Sequence, residues 1–383
     1  MRIDTLHVQN FRGFVEREFH LHPQFNVLIG DNATGKTAAL EALAVAMNSW
    51  FLGIEGVSSR DVRDEDVRLV GRGFNGEYTF EPQYPVVIAA HGNVEGEQVS
   101  WRRTRWGKRG NTDPGDVAHL QHLASRVEQA VRSGEPVTLP LIAYYGTGRL
   151  WNPVRGARTR TRSERALQAL REAEEVFNSD ERDVLLNALL RNAEKIDSPG
   201  AERSRFAGYR DSMGPQIDHR ELTRWLKRQA WASFEEGRES VVYTLVRTVL
   251  AGMVEGAEAV GYAPRRGEVV VRFSDGRVQP FGNLSDGQRT VLALTGDIAI
   301  RMARLNPHLG EHALAQTPGV VLIDELDMHL HPSWQRRITD DLRTMFPQIQ
   351  FVTTTHSPLV VGSLEPDEVL RLDDPSIHVP NPP

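Results

Sequence analysis

The sequence predicts one α/β domain built from both ends of the chain, with a helical insertion in the middle. Three observations carry that expectation. Phe25-Asn26-Val27-Leu28-Ile29 is a short apolar run stopped by a glycine-rich turn, Gly30 to Thr37, and Ala38 to Met47 is then apolar on nearly every face. Far downstream, Gly319-Val320-Val321-Leu322-Ile323 repeats the pattern of a buried strand and ends in Asp324 and Glu325. Between the two, residues 155–250 are rich in charge and mostly helical in period. Short apolar runs bounded by turn formers read as buried strands, and an all-round apolar stretch reads as a buried helix. The expected organisation is an N-terminal lobe over residues 1–150, an insertion over 151–265 and a C-terminal lobe over 266–383.

In order along the chain, Ile3, Leu6 and Val8 are spaced for a half-buried strand ahead of the run at Phe25. Residues 84–106 read as a hairpin, with Pro85 to Ala89 on one arm, a turn near Asn93 to Gly96, and Gln98 to Trp106 on the other. Leu139 to Tyr145 is a further apolar strand, closed by Gly146-Thr147-Gly148. In the insertion, Leu167, Leu170, Val176 and Phe177 share one helical face. Val184, Leu185, Ala188 and Leu189 form a second face after a Ser179/Asp180 cap. Asp197 to Gly214 carries turn formers and links two helical groups. Val269 to Phe273 with Ser274-Asp275-Gly276 is a second hairpin signal. Strands return at Val320 to Ile323 and Ile349 to Thr354. No repeat of 20–50 residues is visible.

Bulk properties narrow the function. The 383 residues suffice for one large domain with a substantial core. No apolar run approaches the ~20 residues of a membrane span, and no charged-then-apolar leader opens the chain, so a cytoplasmic protein without membrane partners is expected. The absence of cysteine excludes disulfides, Cys-ligated zinc and cysteine nucleophiles together. A net charge of −6 argues against wholesale coating of nucleic acid but says little about a local basic patch. Arginine greatly outnumbers lysine, which makes Lys36 conspicuous.

The chemistry concentrates in four places. Gly30-Asp31-Asn32-Ala33-Thr34-Gly35-Lys36-Thr37 fits the phosphate-binding loop and has the strand before and helix after that the motif requires. Its glycines let the backbone curl so that amides and the helix N-terminus face phosphates. Lys36 then reaches the β and γ phosphates, and the Thr37 hydroxyl ligates Mg²⁺. Asp324 completes the metal's surroundings, and Glu325 orients and polarises the attacking water. Leu284-Ser285-Asp286-Gly287-Gln288-Arg289 opens an apolar helix, so Ser285 is either an anion site or an ordinary N-cap. His356, in Thr353-Thr354-Thr355-His356-Ser357-Pro358, either bonds the γ-phosphate or water, or is a satisfied strand-end histidine.

Taken in order, these motifs resemble those of the ABC-type ATPases, and within them the SMC, RecF and OLD branch. Asn10-Phe11-Arg12-Gly13-Phe14 and Asp324-Glu325-Leu326-Asp327-Met328-His329-Leu330-His331-Pro332 point to that branch. Residues 142–151 look like those of stand-alone bacterial ATPases from phage-defence systems such as Septu and some retrons. The resemblance implies an ABC-type ATPase head, a P-loop sheet plus an antiparallel β subdomain, that uses ATP and Mg²⁺. It places Asn32 to Thr37 on the nucleotide. Ser285, Gly287 and Gln288 would act on the nucleotide of an opposite copy, with Asp327 in the loop that crosses the dimer. Arg12 matches an arginine that helps hold phosphates. One departure stands out: the glutamine that usually follows the strand before the insertion is replaced by Gly146-Thr147-Gly148-Arg149.

The implied protein is an ATPase that pairs head to tail with itself and acts on or senses DNA beside a separate effector or nuclease. The rival is a nucleotide-dependent switch that restrains a toxic partner without touching DNA; a transporter subunit fits the motifs less well. Arginines 149, 155, 158, 160 and 162, and Trp101-Arg102-Arg103-Thr104-Arg105-Trp106, either bind phosphate backbones or are solvated faces paired with local acids. No nuclease is expected within the chain, since the residues after His356 are too few for a domain of ~50 residues.

Overall fold

The computed structural model describes residues 1–74, 77–108, 115–149, 204–214, 219–263 and 266–373. The chain opens with β1 (Arg2–Phe11) and β2 (Phe14–His20), followed by β3 (Phe25–Ile29) and helix α1 (Lys36–Met47). A ribbon of β4 (Leu69–Phe74) and β5 (Glu77–Pro82) precedes the hairpin β6 (Val86–Val94) and β7 (Glu97–Arg105), then α2 (Ala118–Arg132) and β8 (Leu141–Tyr145). Later come α3 (His219–Glu236), α4 (Val241–Gly252), β9 (Ala257–Ala263), β10 (Glu268–Phe273), β11 (Val278–Pro280) and α5 (Asp286–Leu305). After α5 come β12 (Gly319–Ile323), α6 (Ile338–Met345), β13 (Ile349–Thr354) and β14 (Val369–Arg371).

Two sheets make the frame. One is antiparallel in the order β2-β1-β6-β7; the other runs β14-β3-β13-β12-β8 with every pairing parallel. Strands buried on both faces need apolar runs without alternation, and β8 and β12 are buried at all five positions. Helix α1 packs between the two sheets, which is why Ala38 to Leu40 and Ala42 to Met47 are all buried. Trp101 of β7 donates its indole N–H to Ala46 O at 2.9 Å, fixing that sheet to the helix. Gln350 of β13 bonds both the N–H and the C=O of Ile3, at 2.9 and 2.8 Å, so a buried amide is satisfied while joining the sheets.

The parallel register decides where the chemistry falls. Ile323 pairs with Thr353 on one side and Tyr145 on the other, and Thr354 pairs with Leu28. The C-terminal ends of β3, β13, β12 and β8 therefore line up. Open α/β sheets bind ligands beyond this edge.

A third sheet, β11-β10-β9, carries the expected second hairpin. It also corrects the reading of the insertion: Ala257–Ala263 is a strand paired antiparallel with β10, although it falls inside the stretch assigned to helices. Helix α5 crosses the C-terminal half. Gly296 lets α3 approach it, since a Cβ there would stand 2.9 Å from Leu222 Cδ1. The helical faces expected at Leu167 to Phe177 and Val184 to Leu189, and the Ser179/Asp180 cap, lie outside the described residues, as do Arg155, Arg158, Arg160 and Arg162. No helix among the described residues is long and apolar enough to cross a membrane.

Candidate active site

The loop after β3 takes a shape that only certain residues allow. Gly30, Ala33 and Gly35 have φ of 148°, 69° and 100°. A Cβ at Gly35 would stand 2.6 Å from Cζ of the Phe14 ring, so that glycine is required by both its dihedral and its neighbour. Gly35→Ala is expected to destabilise the protein by about 1–3 kcal/mol, the usual cost of such strain, and to weaken nucleotide binding. A chemical-denaturation midpoint beside a nucleotide titration reads both.

Asp31, Asn32 and Ala33 are exposed, while Lys36 is buried. Lys36 Nζ donates to the carbonyls of Gly30 and Asp31 at 2.7 and 2.9 Å, so the ammonium sits inside the curl of the loop. One residue on, the Thr37 hydroxyl donates to Asp324 Oδ2 at 2.9 Å across 287 positions of sequence. The two strongest sequence signals meet at one point.

Thr354 at the end of β13 pins the acid pair. Its hydroxyl donates to Asp324 Oδ1 at 2.6 Å and accepts the N–H of Glu325 at 2.7 Å. The Asp324 N–H bonds Tyr145 O at 2.8 Å, so Asp324 is held from both neighbouring strands. Glu325 has φ of 49°, a left-handed conformation costly for a residue with a Cβ and the kind of strain that collects at functional sites. Beyond it, Asp327 Oδ1 accepts from the Thr355 hydroxyl and from the N–H of His356, the latter at 3.3 Å. The loop after β12 is thereby strapped to the loop after β13, and the His356 ring is exposed beside it.

Ser285 is the N-cap of α5 and forms a capping box with Gln288: the Gln288 N–H reaches Ser285 Oγ at 3.3 Å, and the Ser285 N–H reaches Gln288 Oε1 at 3.0 Å. The N-cap reading is therefore realised, with Ser285 and Asp286 exposed at the helix N-terminus. Gly287 fits against the loop after β12, since a Cβ there would stand 2.6 Å from His329 O. Among the described residues, Ser285, Gly287 and Gln288 make no hydrogen bond to residues 30–37.

Arg12 lies near the loop but turned to acids. Its Nε donates to Asp66 Oδ1 at 3.0 Å and its Nη2 to Glu41 Oε2 at 2.6 Å, one helical turn after Thr37. Arg60 shares Glu41. Tyr144 of β8 completes this cluster; burial first, then the charges of Asp324 and Glu41, raise its phenol far above the ordinary value and keep it neutral. Sequence reading missed Tyr144, Glu41, Arg60 and Thr354. Thr354 and Tyr144 lay inside segments the sequence singled out, 353–358 and 142–151, but neither was given a role.

The Trp101 to Trp106 run is not the basic face it suggested. Strand pleating turns alternate residues inward, so Trp101, Arg103 and Arg105 are buried. Arg103 pairs with Asp61, Arg105 with Asp64, and the exposed Arg102 with Asp116.

Residues 25–362 match the family described as "AAA domain, putative AbiEii toxin, Type IV TA system". The chain belongs to that family. It is a P-loop ATPase, and part of it is also similar to the DNA replication and repair protein RecF of Desulforamulus reducens, 39% identical over 18% of this chain and 16% of that protein. It is similar to the "Retron Ec83 probable ATPase" of Escherichia coli, 25% identical over 97% of this chain and 71% of that protein. The Septu protein PtuA of Bacillus mycoides is 42% identical over 24% of this chain and 12% of that protein. Among solved structures, the SMC head domain from Thermotoga maritima aligns with 95% of the ATPase and 93% of that chain at 11% identity and a TM-score of 0.44.

Proposed function

We propose that the ATPase hydrolyses ATP with Mg²⁺ at a site shared by two copies joined head to tail, and that this cycle lets it act on or sense DNA beside a separate effector or nuclease. The observation that carries the reading is the bond from the Thr37 hydroxyl to Asp324, which unites the phosphate loop with the acid pair at the strand ends.

A hydroxyl and a carboxylate oxygen converging in a chain without cysteine fit a hard divalent cation. Thr37 and Asp324 would hold Mg²⁺, which when bound neutralises charge on the β and γ phosphates. The remaining work belongs to side chains and backbone. Asn32 to Lys36 cradle the phosphates with their amides, and Lys36 exchanges the carbonyls of Gly30 and Asp31 for phosphate oxygens. Glu325, held by Thr354, orients the attacking water and takes its proton. His356 bonds the γ-phosphate or that water. Ser285 and Gly287 of the second copy close the site, with Gln288 holding Ser285 in its cap. Arg12, with Nε on Asp66 and Nη2 on Glu41, is held beside the loop by two acids.

The DNA surface follows from charge. With Arg103 and Arg105 turned inward, the candidate run is Arg155, Arg158, Arg160 and Arg162. Replacing these four with Ala should weaken binding to all sequences alike and flatten the log–log salt dependence by about 0.9 per lost duplex contact. Fluorescence anisotropy across a salt series checks this; an unchanged slope removes the run from the DNA surface.

The family's description, which names a type IV toxin–antitoxin system, favours a second reading: a nucleotide-dependent switch that restrains a toxic partner. Salt-dependent DNA binding by the purified protein supports the first reading, and its absence supports the second.

A further inference from the structure

Tyr145, the last residue of β8, stands where three parts of the molecule meet. Its carbonyl accepts the N–H of Asp324 at 2.8 Å, which bonds it to the acid pair. Its phenol donates to Asp297 Oδ2 at 2.8 Å. Asp297 lies twelve residues past Ser285, about 18 Å away along one helix at 1.5 Å per residue. The same carboxylate oxygen accepts from Arg301 Nε at 2.6 Å, and Arg301 Nη1 donates to the carbonyls of Gly208 and Arg210 at 2.9 and 2.7 Å. Those carbonyls belong to residues 204–214, within the stretch assigned to the insertion. That segment is tied back to β8, where the Tyr144 N–H bonds Ser212 O at 2.7 Å. It is also pressed on α5, where a Cβ at Gly208 would stand 2.5 Å from Leu305 Cγ.

The Tyr145 phenol is a fixed donor. Burial, reinforced by the charge of Asp297, raises it well above the ordinary tyrosine range, so it keeps its proton. Stability alone does not account for such a triad, because apolar residues of similar volume commonly replace a buried ion pair without loss. What the charges supply is one defined arrangement of strand end, helix and following segment.

We propose that Tyr145, Asp297 and Arg301 are positioning residues that couple the state of the acid pair to the pose of helix α5, which Ser285 caps, and of residues 204–214. They serve where the usual glutamine is replaced by Gly146-Thr147-Gly148-Arg149. The proposal rests on the reading of α5 as the helix that completes a partner's site. A displacement of Asp324 moves the end of β8, the phenol passes it to Asp297, and α5 carries it to Ser285. Through Arg301 the same displacement reaches Gly208 and Arg210.

Tyr145→Phe removes one oxygen and leaves the ring and the Asp297–Arg301 pair in place. Affinity for N-methylanthraniloyl-ATP should stay within about twofold, while kcat falls by about 10- to 100-fold, the worth of one hydrogen bond to a charged group. ATP should change amide hydrogen exchange at residues 205–212 in the wild type and leave it unchanged in the variant. Arg301→Lys, which keeps the charge opposite Asp297 but gives up the guanidinium's reach to two carbonyls, should lose the exchange response at residues 205–212 as well, and it carries that comparison if Tyr145→Phe folds poorly. Wild-type kcat, a preserved exchange response, or a loss of ATP affinity equal to the loss in kcat would each overturn the coupling. Ser285→Arg separates the two readings. Normal hydrolysis in that variant removes the shared site, whereas an inactive Ser285→Arg beside a normal Tyr145→Phe removes the coupling alone.

Discussion

Glu325→Gln is expected to bind ATP like the wild type and to hydrolyse it about 10²–10⁴-fold more slowly, the range a positioned general base contributes. The substitution leaves the Thr37–Asp324 bond and the curl around Lys36 untouched, and the backbone N–H that Thr354 holds is still present. Only the group that takes the proton is lost. Lys36→Ala should fail one step earlier. Removing a buried cation from between phosphate oxygens costs about 2–5 kcal/mol of binding, so nucleotide affinity itself collapses. Equilibrium binding and steady-state hydrolysis on the two variants check the pair. Near-normal turnover by Glu325→Gln would remove Glu325 from the role of base.

Ser285→Arg should abolish hydrolysis while ATP still binds the phosphate loop of the same chain. Within one chain Ser285, Gly287 and Gln288 make no hydrogen bond to residues 30–37 among the described residues, so nucleotide affinity has no reason to fall. An arginine at the helix N-terminus also replaces a cap with a bulky cation where the helix end favours anions. Losing Ser285 as a cap costs about 1 kcal/mol by itself. Ser285→Ala is the control: it loses the cap without the obstruction and should lose less activity than Ser285→Arg.

The parts legible in the sequence are those whose signal is local. A glycine turn between strand and helix, or two acids at a strand end, declares itself within ten residues, and the structure joins Thr37 to Asp324 as those signals imply. The order of the parallel sheet was not legible, because the neighbours of β3 are β13 and β14 from the far end of the chain. The arginines at 103 and 105 were misleading for the same reason. Their acids lie 42 and 41 positions away, and nothing near Trp101 to Trp106 foretells the pairing. Strand β9 was hidden by composition: Ala-Glu-Ala-Val-Gly-Tyr-Ala has little alternation, and its identity comes from pairing with β10. Arg12 matched its motif, but its partners Glu41 and Asp66 come from two separate segments.

The central claim is that a second copy completes each site, and the mass of the protein with ATP bound tests it most directly. Light scattering on Glu325→Gln should give a monomer without nucleotide and a dimer with ATP and Mg²⁺. The double variant Glu325→Gln with Ser285→Arg should bind ATP equally and remain a monomer. A Glu325→Gln protein that stays monomeric when saturated with ATP, or a double variant that dimerises as readily, would contradict the shared site.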